Sequence, residues 1–320
     1  MDERITCITL PTPFAVGDVN VYLIEGEKLT LVDTGPKTEE TWTEFQRQIE
    51  NSGYDVEDIQ QVILTHHHPD HVGLSDFLKS RNVSFLSLAY NVPWLQKDSV
   101  FLAHHDRFYE KVYKEMGIEQ FHKKSMAQIR KYLDYSCTVK IDTILQEGDE
   151  IEGLEGWKVL ETPGHAQGHL SLFRVKDGIM VGGDHVIKHI SSNALIEPPP
   201  LGIEERPKTL LQYRESLKKV IECDVKKVYS GHGEIVSNPI ELVQERLLKQ
   251  EERAERILEM IEGKALTGIE ICMKLFPSIY LKELGLTMSE TLGHLDLLQS
   301  NNKLNVANQN GVLYFQARRY

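Results

Sequence analysis

Residues 62 to 78 decide how this chain is read: Val62-Ile63-Leu64-Thr65-His66-His67-His68-Pro69-Asp70-His71-Val72-Gly73-Leu74-Ser75-Asp76-Phe77-Leu78. The β-branched apolar run Val62-Ile63-Leu64 reads as a buried strand. Leu74, Phe77 and Leu78 fit one face of a helix, which the spacing predicts over 71–80. Four histidines and an aspartate therefore occupy a strand-to-helix turn, with Asp70 and His71 near the helix start. Neutral imidazoles suit borderline divalent metals, and a carboxylate adds charge. The turn is a candidate metal site.

Upstream, residues 5–10, 19–25 and 28–33 read as short strands, the last running into Asp33-Thr34-Gly35-Pro36. A helix follows over 38–52, with Trp42, Phe45 and Ile49 on one face and Gly53 as its stop. Downstream, strand 84–88 completes a βαβαβ run, the mark of a layered α/β architecture. Residues 91–137 break the rhythm with two or three aromatic-rich helices. Two readings stay open for them: a helical layer on the sheet, or a cap over the metal site that shapes a substrate pocket. Strands resume at 139–145, 157–162, 169–175, 178–182 and 225–229, with a helix over 208–222.

A boundary falls near Ser237, giving units 1–237 and 238–320. Asn238-Pro239-Ile240-Glu241 reads as a helix start with Asn as N-cap, and the helix runs to Glu262. Two shorter helices, the second over 287–300, and an Asn-rich hairpin complete a winged-helix-like order, a small α+β unit. Glu290 and Asp296 make helix 287–300 acidic, and Arg246, Lys249, Arg253 and Arg256 on the first helix read as a solvated face. This pattern speaks against nucleic-acid reading. It favours a tail packed on the rest of the chain or on a second copy, as in a homo-oligomer.

The 320 residues are 41% hydrophobic and carry a net charge of -12, which disfavours non-specific nucleic-acid and anionic-membrane partners. Cys7, Cys137, Cys223 and Cys272 lack CxxC spacing and read as buried thiols in a reducing compartment. The N-terminus has no signal-peptide pattern, and no apolar run is long enough for a membrane helix. The expected location is the cytoplasm.

Three further segments repeat the theme of the opening turn. Thr162-Pro163-Gly164-His165, Gly182-Gly183-Asp184-His185 and Gly231-His232-Gly233 each place a metal-competent side chain just after a strand, beside small residues that permit close backbone approach. Together with His66-x-His68-x-Asp70-His71 and Leu31-Val32-Asp33-Thr34-Gly35, they resemble the metallo-β-lactamase superfamily over about residues 5–236, with a ligand pattern of the glyoxalase II kind.

That resemblance implies an α/β fold, a four-layer αββα sandwich with the site at one edge between two sheets. It implies that His66, His68 and His165 bind one divalent ion, that Asp70, His71 and His232 bind a second, and that Asp184 bridges them. Asp33 matches a position that supports the ligands, and Asp70 matches a catalytic proton carrier. His67 is given no metal role, and His169, His185 and His189 stand near ligands without an assigned part. Two ions about 3.5–4 Å apart can share a hydroxide at neutral pH, which suits attack on an ester, thioester, lactone, amide or phosphodiester. Zinc is the favoured ion, with iron and manganese also suited to His and Asp donors.

The presence of Asp184 and the lack of a signal peptide speak against antibiotic hydrolysis. The full second ligand set speaks against a one-iron dioxygenase. The chain thus reads as a binuclear hydrolase of small molecules, with a β-lactamase-like endoribonuclease or phosphodiesterase as the alternative. The latter would gain if Lys188, Lys208 and Lys218 lined one groove with the metals. A DNA-reading regulator on a degenerate core fits less well, because the ligand set is complete.

Overall fold

The computed structural model describes residues 4–318. One mixed sheet contains β1 (Ile5–Leu10), β2 (Val19–Ile24), β3 (Thr30–Val32), β4 (Gln61–Ile63), β5 (Ser84–Leu88) and β6 (Thr143–Leu145), in that order. β1 to β3 pair antiparallel and β3 to β6 parallel. A second sheet contains β7 (Trp157–Glu161), β8 (Leu170–Arg174), β9 (Ile179–Gly183) and β10 (Lys227–Ser230), in the order β10-β9-β8-β7.

Side-chain alternation explains how these sheets stack. In β2, Val19, Val21 and Leu23 face one way, into a core with Phe45 and Ile49 of helix Glu39–Asn51. Tyr22 and Ile24 face the other way and meet Trp157, Val159 and Leu172 of the second sheet. Because both faces are covered, β2 is buried along its whole length. On the far side of the second sheet, Phe173, Met180 and Val228 pack with Leu210, Tyr213 and Leu217 of helix Thr209–Glu222. The layers run helix, sheet, sheet, helix, which is the αββα sandwich expected from the resemblance.

Several local expectations need correction. The helix predicted over 71–80 is two short helices, Pro69–Val72 and Ser75–Leu78. The Leu74 N–H bonds Gly35 O at 3.0 Å instead of continuing the helix, so the chain is pinned to the loop after β3. Of the strand predicted over 139–145, only Thr143–Leu145 joins the sheet. Val139 N–H instead bonds Leu95 O, inside the insertion. The insertion itself holds helices Val92–Leu95, Ser99–Glu115 and His122–Tyr132, with a 3-10 turn, Glu119–Phe121, between the last two. Cys7 is exposed, not buried, and all four cysteines are free thiols.

The C-terminal helix/sheet subdomain contains helices Pro239–Met260, Gly268–Leu275 and Leu284–Ser300. Its three-stranded sheet has the order β11-β13-β12, from β11 (Leu266–Thr267), β12 (Leu304–Gln309) and β13 (Val312–Ala317). Asn238 precedes the first helix, but its side chain makes no cap bond. Helix Leu284–Ser300 starts three residues earlier than the pattern suggests and is buried on nearly every side. Its acidic residues are paired: Asp296 is 2% exposed and accepts two bonds, 2.6 and 2.8 Å, from Arg206, while Glu290 pairs with Arg253. Arg246 is likewise buried, and it donates to the Ile187 carbonyl. Among the described residues no helix is long and apolar enough to cross a membrane.

Candidate metal centre

The chemistry-bearing side chains sit where strands end at one edge of the sandwich. His66, His68, Asp70 and His71 follow β4, His165 follows β7, Asp184 follows β9, and His232 follows β10. Close backbone approach there depends on glycine. A Cβ on Gly231 would lie 2.3 Å from Asp184 Oδ1 and 2.8 Å from His71 Cε1, and one on Gly183 would lie 2.8 Å from Thr65 Oγ1.

Hydrogen bonds on the outer side of each ring set its tautomer. His165 Nδ1–H donates to Asn193 O (2.9 Å) and His232 Nδ1–H to Asp18 O (2.7 Å). His71 Nδ1–H donates to the Asp33 carboxylate (2.8 Å). His66 Nδ1–H donates to Thr65 Oγ1 (3.0 Å), whose own proton goes to Asp33 (2.8 Å). Each of these four rings therefore turns an Nε2 lone pair inward, the arrangement that metal-binding imidazoles require.

The inward atoms converge in two groups. His68 Nδ1 lies 2.9 Å from His66 Nε2 and 3.0 Å from His165 Nε2. One proton cannot bond all three nitrogens, whereas one cation can. In the second group, His232 Nε2 is 3.3 Å from Asp70 Oδ2, and His71 Nε2 is 3.9 Å from the same oxygen. Asp184 faces both groups, with Oδ2 3.5 Å from His165 Nε2 and 3.6 Å from His232 Nε2, and Oδ1 3.3 Å from His71 Nε2. His71 Nε2, His232 Nε2 and Asp184 Oδ1 are buried and make no hydrogen bond. Orphaned atoms of this kind, aimed at one point, fit a bound cation. Both His66-His68-His165 and Asp70-His71-His232 bring one donor atom per residue within reach of a single ion, so two His/Asp clusters suited to a binuclear divalent site are present.

The electrostatics divide the two clusters. Burial, helped by neighbouring imidazoles, holds His66 and His68 well below the usual histidine range, and burial also lowers His165. Burial opposes charge on His71 too, but the Asp184, Asp33 and Asp70 carboxylates outweigh it and hold this ring well above that range. His232 is raised in the same way by Asp184 and Asp70 against its burial. Burial would raise Asp184, yet His232 and His71 keep it well below the carboxylate range.

Behind these side chains stand two organisers. Asp33, at φ +61, accepts from Thr65 N–H, Thr65 Oγ1–H and His71 Nδ1–H, each at 2.8 Å. His169, whose part was open from sequence, donates from Nδ1 to Thr162 Oγ1 (2.8 Å) and accepts the Asp184 N–H at Nε2 (3.1 Å). It fixes the backbone that carries Asp184. His185 lies deeper and faces Ser216 O.

A cavity of about 690 Å³ opens beside the cluster, with His67, His68 and Pro69 in its wall. Residues from the insertion (Trp94, Tyr109, Tyr113) and from the C-terminal subdomain (Leu281, Leu284, Ser289) complete that wall. Residues 94–133 of the insertion thus contribute to the wall of the cavity beside the cluster.

His67, which faces away from both clusters, stacks on Trp94 with centroids 4.4 Å apart and planes 7° from parallel. Its Nε2 lies 3.5 Å from Glu197 Oε1. His67, His68 and Glu197 also fall within reach of one ion, but the ligating nitrogen of His68 already faces His66 and His165.

Glu197 went unnoticed in the sequence. The one signal was an acidic residue before Pro198-Pro199-Pro200, whose carbonyls accept from Tyr90, just before the insertion, and His104, within it. Burial pushes the Glu197 carboxyl up to about 8. Its folded form thus binds a proton that the unfolded chain has lost above the ordinary glutamate range. Stability from this group is fullest at low pH and declines as pH rises towards 8, by up to about 1.4 kcal/mol per pH unit. Glu197→Gln keeps an acceptor for Gln167 N–H and cannot ionise. In denaturant melts, its stability relative to the parent should improve by about 2 kcal/mol between about pH 6 and about pH 8. A constant difference across that range would contradict the assignment.

Comparison with known proteins agrees with this geometry. The family model described as the metallo-beta-lactamase superfamily matches residues 15–232. The probable metallo-hydrolase YqjP of Bacillus subtilis (strain 168) is 40% identical over 314 residues, covering 98% of each chain. Two solved structures share the fold over nearly the whole chain. The metallo-beta-lactamase family protein TTHA1429 from Thermus thermophilus has a TM-score of 0.83 at 22% identity, with 98% of each chain covered. A beta-lactamase domain protein from Burkholderia ambifaria has a TM-score of 0.79 at 21% identity, covering 98% of this chain and 92% of that one. The chain belongs to the metallo-β-lactamase superfamily. Its fold and paired His/Asp clusters are those of a metal-dependent hydrolase.

Proposed function

We propose that the chain is a binuclear zinc hydrolase that cleaves a small-molecule ester, thioester or lactone. The observation that carries this reading is the convergence of inward-facing, tautomer-fixed Nε2 atoms and unpaired carboxylate oxygens on two adjoining points. His66, His68 and His165 would hold one ion, Asp70, His71 and His232 the other, and Asp184 both. Divalent ions held there supply Lewis acidity and make water nucleophilic at neutral pH. The protein's own residues do the rest. Asp33 and His169 keep the donors aimed, and the cavity beside His68 takes the substrate and excludes bulk water. Asp70 carries a proton to the departing oxygen or sulfur.

The size of the cavity and its mostly apolar wall support a small substrate. The C-terminal residues 238–320, read as a winged-helix-like unit, wall that cavity. The helix that would read nucleic acid is buried, which weighs against the nuclease alternative. Lys188 pairs with Glu234 and Lys218 with Glu215, so two of the three lysines that would serve a phosphodiester have carboxylate partners. The four free thiols support a reducing, cytoplasmic setting. The test is a screen of zinc-loaded protein against thioesters, lactones, aryl esters, bis-p-nitrophenyl phosphate and single-stranded RNA. Turnover confined to carboxylic esters, thioesters or lactones is expected; turnover confined to the phosphodiester or RNA would contradict the proposal.

A further inference from the structure

The cavity has a specific character. Its inner end is the stacked pair of His67 and Trp94 beside His68, so whatever fills it is continuous with the reacting centre. Between that end and the surface the wall is mostly apolar and aromatic, with Tyr109, Phe121, Ile129 and Leu284 prominent. The titratable groups at the inner end, His67, His105 and Glu197, are buried, and His67 and His105 are both packed against the Trp94 ring. The cationic side chains in the wall, Lys124 and Lys282, are both solvent-exposed. Exposed apolar side chains, Tyr132, Leu281 and Leu286, also reach the cavity where it meets solvent. A buried, ring-lined inner end, an apolar middle and apolar side chains at the mouth suit an extended hydrocarbon group. A nucleotide or sugar would leave its polar groups unpaired along such a wall.

We infer that this cavity holds the acyl part of the substrate, and that the substrate class is an ester or thioester of a long apolar carboxylic acid. The inference rests on the hydrolase reading above and adds the identity of the group accommodated. In the reaction, water adds its oxygen to the acyl carbon, and the C–O or C–S bond breaks. The leaving oxygen or sulfur keeps that electron pair and takes up a proton, so the products are a fatty carboxylate and an alcohol or thiol. The chain lies along Trp94, Tyr109 and Ile129 and points towards the gap between helix His122–Tyr132 and residues 281–286.

The test uses the zinc-loaded full-length protein and a series of N-acetylcysteamine thioesters and p-nitrophenyl esters from acetyl through butanoyl, hexanoyl and octanoyl to decanoyl. Burial of each added methylene should raise kcat/KM about fourfold until the cavity is filled. Cleavage of the acetyl compounds with no rise along the series would overturn the acyl assignment and leave the hydrolase reading standing. Absence of turnover at every length, and of lactones in the screen above, by metal-replete protein would overturn the hydrolase reading itself.

Gly285 lines the cavity, and a Cβ there meets nothing within 4 Å, so Gly285→Phe can add bulk to the pocket without displacing its neighbours. In this variant the rise should stop at a shorter chain with metal content unchanged. A series identical to the parent's would place the chain elsewhere. A readout free of turnover is tryptophan emission, because Trp94 lines the cavity. Decanoate should shift it saturably where acetate does not, and equal silence from both would count against the inference.

Discussion

Asp184→Ala is expected to lose bound metal and activity together. Asp184 is, among the described residues, the carboxylate whose oxygens face both clusters, lying 3.3 to 3.6 Å from His71, His165 and His232. Alanine removes the buried negative charge that favours cations at both points and leaves the surrounding nitrogens facing one another. Metal-assisted catalysis supplies several kcal/mol, so its loss should lower kcat/KM by on the order of a thousandfold or more. The measurement is metal content after desalting, taken with the rate on whichever ester or thioester the screen identifies. A variant that keeps both metal and rate would show that Asp184 does not bridge. Folding is followed separately by far-UV circular dichroism, because His169 holds the backbone of residue 184 whatever its side chain.

The second large effect is expected at Asp33, which touches no substrate. Its carboxylate accepts three buried hydrogen bonds of 2.8 Å, two from Thr65 and one from His71. Asp33→Ala strands those donors and places alanine at φ +61, where a Cβ is strained. The combined cost should be about 3–5 kcal/mol of stability. Asp33→Asn separates the two effects, because asparagine tolerates this backbone conformation and fills the same space. It keeps one acceptor oxygen but cannot compel His71 to carry its proton on Nδ1. Metal affinity in Asp33→Asn should fall about 10- to 100-fold while the fold survives. Competition with a chelating dye measures this, and an unchanged affinity would reduce Asp33 to a turn residue.

Much of this architecture is legible in the chain because its signals are local. Strand β4 and the histidines behind it share one short segment, and His165, Asp184 and His232 each follow a short segment rich in β-formers that reads as a strand. The layer order follows from elements of alternating type. What is not legible depends on contacts distant in sequence. The helix expected over 71–80 breaks because Leu74 bonds the Gly35 carbonyl, a partner that no periodicity reveals. Arg246 on the first tail helix reads as part of a solvated face because the Ile187 carbonyl meets it only after folding, and the partners of Glu290 and Asp296, Arg253 and Arg206, are equally hidden from the sequence. Glu197 is invisible for the same reason. Its neighbours His67, Trp94 and Tyr90 come from other parts of the chain, and an isolated glutamate before prolines carries no pattern.

The cavity divides along the same line. Its metal-side wall comes from the histidine turn, whereas its far wall is built by residues 281–289 of the C-terminal subdomain. That wall gives the tail a place in the site's shape, which its sequence order alone does not suggest. The last long helix is buried against the helices Thr209–Glu222, Pro239–Met260 and Gly268–Leu275.

The claim on which everything else depends is that the histidine turn contributes to two adjoining metal sites rather than one. Elemental analysis of zinc-loaded, desalted protein by mass spectrometry tests it directly. The account predicts about two zinc ions per chain, falling together in Asp184→Ala. A reproducible value near one per chain in the parent protein, unchanged on further zinc addition, would contradict it.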